Sequence, residues 1–157
     1  MSEIEVGKAV PNFHAPATGG ETIELAELRG KNVVLFFYPK ANTPGCSQEG
    51  QDFRDANEAF AALNTVVLGI SRDGVKAQEN FKAKYDFPFP LIADKDEAVC
   101  RLFDVIKQKN MYGRQVMGIE RSTFLIAADG KLHKEWRKVK VKGHVEDVLA
   151  ATQELAS

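Results

Sequence analysis

The stretch Tyr38-Pro39-Lys40-Ala41-Asn42-Thr43-Pro44-Gly45-Cys46-Ser47-Gln48-Glu49 places a thiol in the opening turn of a helix that follows a buried strand. Thr43 occupies the N-cap position, and Pro44 suits the first helical position, where a missing N–H costs nothing. Cys46 is then the third helical residue, among free backbone N–H groups and at the positive end of the helix dipole. An anion is favoured there, and the thiolate is the reactive form of cysteine. The chemistry on offer is nucleophilic attack by sulfur.

The other reactive side chains are sparse. Cys100 lies between Val99 and the Leu102-Phe103 pair, which suits a thiol buried in a core. His14, His133 and His144 are scattered and do not combine with the cysteines into a zinc-type spacing, so neither a metal nor a cofactor is expected. Two cysteines are too few for a disulfide framework. A thiol–disulfide oxidoreductase needs a second cysteine three residues from the first. Here Thr43 and Glu49 hold those positions. A redox sensor or holdase that signals through oxidised Cys46 would use the same accessible thiol, and turnover with a thiol donor separates that reading from catalysis.

The elements that position these groups follow from hydrophobic patterning. Val33-Val34-Leu35-Phe36-Phe37-Tyr38 is a continuous apolar run, as in a strand covered on both faces. The helix after Thr43 carries Phe53, Ala56, Phe60 and Leu63 at helical spacing. Thr65 to Ser71 repeats the buried-strand pattern, and Asp73-Gly74 opens a helix that presents Phe81 and Tyr85 to the core. Phe89-Pro90-Leu91-Ile92 is a short strand whose proline favours an edge. Asp96 to Phe103 reads as a helix, and Asp104 to Gly118 as a long loop of the kind that often carries function. Asp129-Gly130 joins two strands, Ser122–Ala127 and Leu132–Trp136. A closing helix displays Val145, Val148, Leu149 and Leu155. Near the N-terminus, Gly19-Gly20 turns the chain into Glu21-Thr22-Ile23-Glu24-Leu25.

Alternating strands and helices, then a hairpin and a last helix, predict an α/β domain spanning residues 1–157 with a mixed sheet. The chain has 157 residues, 44% hydrophobic and 27% charged, a globular composition. Its net charge of −1 gives no global attraction to nucleic acid or an anionic membrane. The Lys- and Arg-rich segment from Lys131 to Lys142 alternates with apolar residues, as a half-solvated strand does. No apolar stretch reaches the ~20 residues of a bilayer span. The start, Met1-Ser2-Glu3-Ile4-Glu5, has no secretory pattern, so a cytoplasmic location is expected.

Taken together, these features resemble a peroxiredoxin. Pro39, Thr43 and Cys46 match that family's Pro-x-x-x-Thr-x-x-Cys signature, and Arg121-Ser122-Thr123-Phe124 resembles the context of its arginine. The Tyr-Pro-Lys and Thr-Pro-Gly-Cys pieces, the run Phe87-Pro88-Phe89-Pro90-Leu91, and Val141-Lys142-Gly143-His144-Val145-Glu146 are similar to the bacterioferritin comigratory protein, or peroxiredoxin Q, group. The resemblance implies a thioredoxin-like fold, with a central mixed β-sheet flanked by helices and an N-terminal β-hairpin. It also implies reduction of hydrogen peroxide and organic hydroperoxides through a sulfenic acid.

Site roles follow from that resemblance. Cys46 becomes the peroxidatic nucleophile, Thr43 a cap whose hydroxyl also meets the peroxide, and Pro39 a shield against water. In a thioredoxin-like sheet the Arg121 strand runs antiparallel to Val33–Tyr38, which brings Arg121 to the edge where Cys46 sits. A guanidinium there favours the thiolate and stabilises charge on the breaking O–O bond. Glu49, a first-turn acid by local reading, matches an acidic position that orients the arginine. The family's resolving cysteines correspond to Gln51 and Lys82 here, so both are absent. A one-cysteine enzyme is expected, a monomer recycled by glutathione, glutaredoxin or thioredoxin. A two-cysteine cycle through Cys100 is the alternative.

Overall fold

The structure, a computed structural model, describes residues 4–156; the Met1–Glu3 part of the expected chain start lies outside the described residues. The chain runs β1 (His14–Pro16), β2 (Thr22–Glu24), β3 (Asn32–Phe37), α1 (Pro44–Ala62), β4 (Thr65–Ser71), α2 (Val75–Tyr85) and β5 (Leu91–Ala93). It continues through α3 (Ala98–Leu102), β6 (Ile106–Met111), β7 (Arg114–Ile119), β8 (Ser122–Ile126), β9 (Leu132–Trp136) and α4 (His144–Ala156). Five strands form the central sheet in the order β5-β4-β3-β8-β9. β3, β4 and β5 are parallel, β8 is antiparallel to β3, and β9 is antiparallel to β8. The N-terminal hairpin pairs β1 with β2. This is the expected thioredoxin-like layout.

β3 is central, and its alternation divides the core. Val33, Leu35 and Phe37 face a cluster with Val10, Phe13, Val99, Cys100, Phe103 and Phe124. Val34, Phe36 and Tyr38 face the opposite cluster, with Cys46, Phe53, Phe60, Phe81 and Val148. A strand buried on both faces has no polar side, which is why the run from Val33 to Tyr38 is unbroken. The two cysteines therefore lie on opposite faces of the sheet.

Two elements depart from the sequence expectation. The segment from Asp104 to Gly118 is not a long loop: most of it is the two-stranded β6–β7 hairpin, in register from Ile106↔Ile119 to Met111↔Arg114. Its turn is Tyr112-Gly113, both with positive φ (53° and 78°), the geometry of a tight two-residue hairpin turn. The helix expected from Asp96 to Phe103 spans only Ala98–Leu102. Its start is set by Asp94, a buried carboxylate that accepts the N–H groups of Val99 (3.1 Å) and Cys100 (2.7 Å). α4 is anchored at its first residue by His144, buried, with Nε2 2.8 Å from the Thr123 hydroxyl.

α1 meets the sheet through aromatic packing, with Phe53 stacked on Phe36 at 4.5 Å between ring centroids. Gly50 lies on the same buried face, and a Cβ there would collide with the Phe87 ring. That ring is itself held between Phe81, Tyr85 and Phe89. It has little room to move. Glycine inside a helix costs up to ~1 kcal/mol relative to alanine. Gly50→Ala should nevertheless destabilise the fold, by ~1–3 kcal/mol, because overpacking outweighs the gain in helix propensity. Urea unfolding of the two proteins checks this; an alanine variant of equal or greater stability would show that Phe87 yields.

Candidate active site

α1 begins immediately beyond the loop that leaves β3, and Cys46 stands at its third residue. Thr43 occupies the N-cap position, and its carbonyl accepts the Ser47 N–H at 2.8 Å. Its hydroxyl does not cap the helix; it turns back to donate to the Lys40 carbonyl at 2.9 Å. The expected side-chain cap is therefore replaced by a bond within the loop. With its proton given to Lys40, the Thr43 oxygen keeps lone pairs for an incoming donor. The Gly45 and Cys46 N–H groups are left without a side-chain cap.

Cys46 itself is buried, only 1% exposed, against Tyr38, Phe36 and Phe53. The polarity of Ser47-Gln48-Glu49 points to an open position for the cysteine, yet only Gln48 is exposed, while Ser47 and Glu49 are buried. The reason is helical geometry. Glu49 lies one turn beyond Cys46, on the same inward face. It is therefore not a solvated first-turn acid.

Arg121 joins the two. The register of β8 against β3 pairs Ser122 with Phe37, so the residue just before β8 arrives at the end of β3. From there Arg121 donates Nη1 to Glu49 Oε1 at 2.7 Å and Nη2 to the Cys46 sulfur at 3.3 Å. The Arg121 side chain is 15% exposed and that of Glu49 0%. Burial pushes the Glu49 carboxyl up to about 7, although Arg121 pulls the other way. Glu49 Oε2 has no hydrogen-bond partner. Burial also opposes the Arg121 charge, but Glu49 and Cys46 more than offset it, so the guanidinium is held more firmly charged than usual.

The loop between β3 and α1 is cradled from the neighbouring strand and helix. Asp73, just past β4, accepts the Ala41 N–H at 2.8 Å and the Ser71 hydroxyl at 2.6 Å. Lys84 of α2 donates to Asn42 Oδ1 at 3.1 Å, and Asn42 has positive φ (62°). Pro39, half-buried, follows Tyr38, whose buried hydroxyl donates to Gln78 Oε1 at 2.6 Å. Burial keeps that phenol protonated well beyond its ordinary range.

A family model described as AhpC/TSA family matches residues 6–135 of the chain. The chain is an AhpC/TSA-family peroxiredoxin. Peroxiredoxin Bcp of Bacillus subtilis is 46% identical over 153 residues, spanning 98% of each chain. Peroxiredoxin Bcp of Xanthomonas campestris is 50% identical over 148 residues, spanning 94% of this chain and 92% of its own. A solved structure of Xanthomonas campestris bacterioferritin comigratory protein, from work on its alkyl peroxide reduction activity, is 47% identical and covers 100% of both chains. It superposes with a TM-score of 0.91. Thiol-dependent peroxide reduction is the activity of this family.

In this peroxiredoxin, Cys46, Glu49 and Arg121 share direct contacts, while Thr43 and Pro39 lie on the loop that leads into them. The second thiol is elsewhere. Cys100 is fully buried in the opposite cluster, and burial, with Asp94 beside it, raises its thiol far above the ordinary range. Sequence reasoning missed Asp73, whose place in an Asp-Gly turn suggested only a helix start. Among the described residues no group of His, Cys, Asp or Glu is arranged to hold a metal ion, and no helix is long and apolar enough to cross a membrane.

The Glu49 carboxyl gives the fold a pH dependence of unusual sign. The folded protein keeps a proton up to about pH 7 that an ordinary glutamate releases near 4.5. Stability contributed by this group therefore falls as pH rises from 4.5 to 7. Glu49→Gln lacks the ionisation, so its stability relative to the parent should climb across that window. Unfolding free energies at several pH values check the difference; a constant difference would mean that Arg121 keeps Glu49 ionised throughout.

Proposed function

We propose that Cys46 is the peroxidatic nucleophile of a one-cysteine cycle that reduces hydrogen peroxide and organic hydroperoxides. The reading is carried by the 3.3 Å contact between Arg121 Nη2 and the Cys46 sulfur, with Glu49 fixing the other arm of the guanidinium. The thiolate attacks the distal peroxide oxygen; an S–O bond forms, the O–O bond breaks, and the leaving oxygen takes a proton as water or alcohol. Arg121 stabilises the charge that develops as the bond breaks. Thr43 offers its oxygen to the peroxide proton, and Pro39 limits water at the mouth of the loop.

The sulfenic acid is then reduced from outside. A first thiol condenses with it, releasing water and leaving a mixed disulfide, and a second thiol frees Cys46. Glutathione, glutaredoxin and thioredoxin fit the role, in a cytoplasmic monomer whose single domain spans residues 1–157. Both positions where a resolving cysteine would stand hold residues that tighten the fold instead. Gln51 donates to the Ser47 carbonyl at 3.2 Å, and Lys82 to the carbonyls of Phe87 (2.6 Å) and Phe89 (3.1 Å). Cys100 lies across the sheet. A sulfur with 1% exposure admits a peroxide but not a protein thiol, so the first turn of α1 must open for reduction.

Cys46→Ser should reduce thiol-dependent peroxide consumption to background, while Cys100→Ser should keep most of it. Peptide mapping of peroxide-treated protein without reductant should find sulfenic or sulfinic acid at Cys46. A dominant Cys46–Cys100 cross-linked peptide from one chain would replace this cycle with a two-cysteine one.

Thr43 separates hydroxyl chemistry from shape. Thr43→Ser should stay active, and Thr43→Val should slow peroxide attack by about 10²-fold. Because the hydroxyl makes one loop bond rather than a helix cap, the valine variant should lose only ~1 kcal/mol of stability. Stopped-flow oxidation and thermal unfolding read the two effects. A folded valine variant with the parent rate would remove Thr43 from the site.

A further inference from the structure

The β6–β7 hairpin ends at Ile119 and leads directly into Arg121, and one of its side chains reaches back to that last residue. Lys109 Nζ donates to the Ile119 carbonyl, two residues before Arg121. Its stem crosses Gly118, where a Cβ would lie 3.4 Å from Lys109 Cδ and 3.6 Å from Cε. The lysine stem thus runs at ordinary contact distance over Gly118.

The neighbouring backbone is held just as closely. The Glu120 N–H donates to the Val105 carbonyl at 2.7 Å, and the Ser122 hydroxyl to the Glu120 carbonyl at 2.8 Å. The Val139 N–H donates to the Arg121 carbonyl at 3.0 Å. Lys109 is the charged member of this set. We propose that Lys109 is a positioning residue for peroxide reduction: its ammonium fixes the Ile119 carbonyl, and so the strand entry that aims Arg121 at Cys46.

The inference rests on Cys46 being the site of peroxide attack. The experiment measures single-turnover oxidation of Cys46 by hydrogen peroxide in the parent, Lys109→Met, Lys109→Arg and, as a control on the same hairpin, Lys107→Met. Lys107 pairs with Asp104. Lys109→Met keeps the stem and loses the charged donor. Its second-order rate constant should fall by ~10–100-fold, as a misaimed catalytic group does. Lys109→Arg should recover most of that loss, and Lys107→Met should match the parent. Recovery in Lys109→Arg is the readout that a mere filling of space would not give, because Lys109→Met keeps the stem.

A Lys109→Met protein with the parent rate would overturn the role while leaving the Cys46 assignment intact. So would an arginine variant as slow as the methionine one. Were Lys109→Met to unfold, Lys109→Gln carries the same comparison. A parent protein whose Cys46 does not react with peroxide would overturn both readings at once.

Discussion

The Arg121 guanidinium, shared between Glu49 and the Cys46 sulfur, is the interaction on which the rest of the site depends. A buried carboxylate and a buried cation are expensive to desolvate, and a buried ion pair seldom stabilises a fold for its own sake. Here the carboxylate leaves one oxygen unpaired and is pushed toward neutrality. The arrangement costs stability and supplies aim. One arm of the guanidinium is fixed by a group with no freedom to move, so the other arm meets the sulfur without searching. Preorganisation of this kind is what makes a positive charge effective when charge develops on a breaking bond.

The central sheet supplies the second constraint. β3 sends successive side chains into two separate cores, and its last residues lead to Cys46 on one side only. Antiparallel pairing with β8 then places the Arg121 entry beside the same end. Chemistry converges on one edge because topology allows no other meeting point. The same sheet is a wall between Cys46 and Cys100. An internal disulfide would need one of two well-packed elements to unravel, which favours the external-thiol cycle proposed above.

Much of this was legible in the residues. The apolar run of β3, the Pro-Gly-Cys helix start and the Asp129-Gly130 hairpin each have a local physical cause, and each is present. The meeting of Arg121 with Cys46 was legible through the family resemblance, whose thioredoxin-like sheet sets the strand direction and so which ends are neighbours. What escaped was set by choices among nearby partners that composition does not rank. Nothing local says that Thr43 should prefer the Lys40 carbonyl to the helix N-terminus, or that Asp94 should start α3. The β6–β7 hairpin was invisible because its turn is Tyr-Gly rather than Asn-Gly and its strands are mostly polar. The burial of Cys46 was missed because the polarity of Ser47 and Glu49 argued for solvent, when both serve the inward face.

That burial and the missing cap describe one compromise. A thiolate must be shielded from water to meet its peroxide among fixed dipoles, yet its oxidised form must be reachable by a thiol. A full side-chain cap would stabilise the first turn of α1 by about 1 kcal/mol and hold it shut. Turning the Thr43 hydroxyl toward Lys40 keeps the loop in shape while leaving the turn itself lightly held. Pro44 contributes no N–H, and both it and Gly45 are exposed, so little packing opposes their displacement. Beyond that turn the helix is held by Phe53 stacked on Phe36 and by Gly50 close against Phe87. The lightly held end of the helix is thus the end next to Cys46.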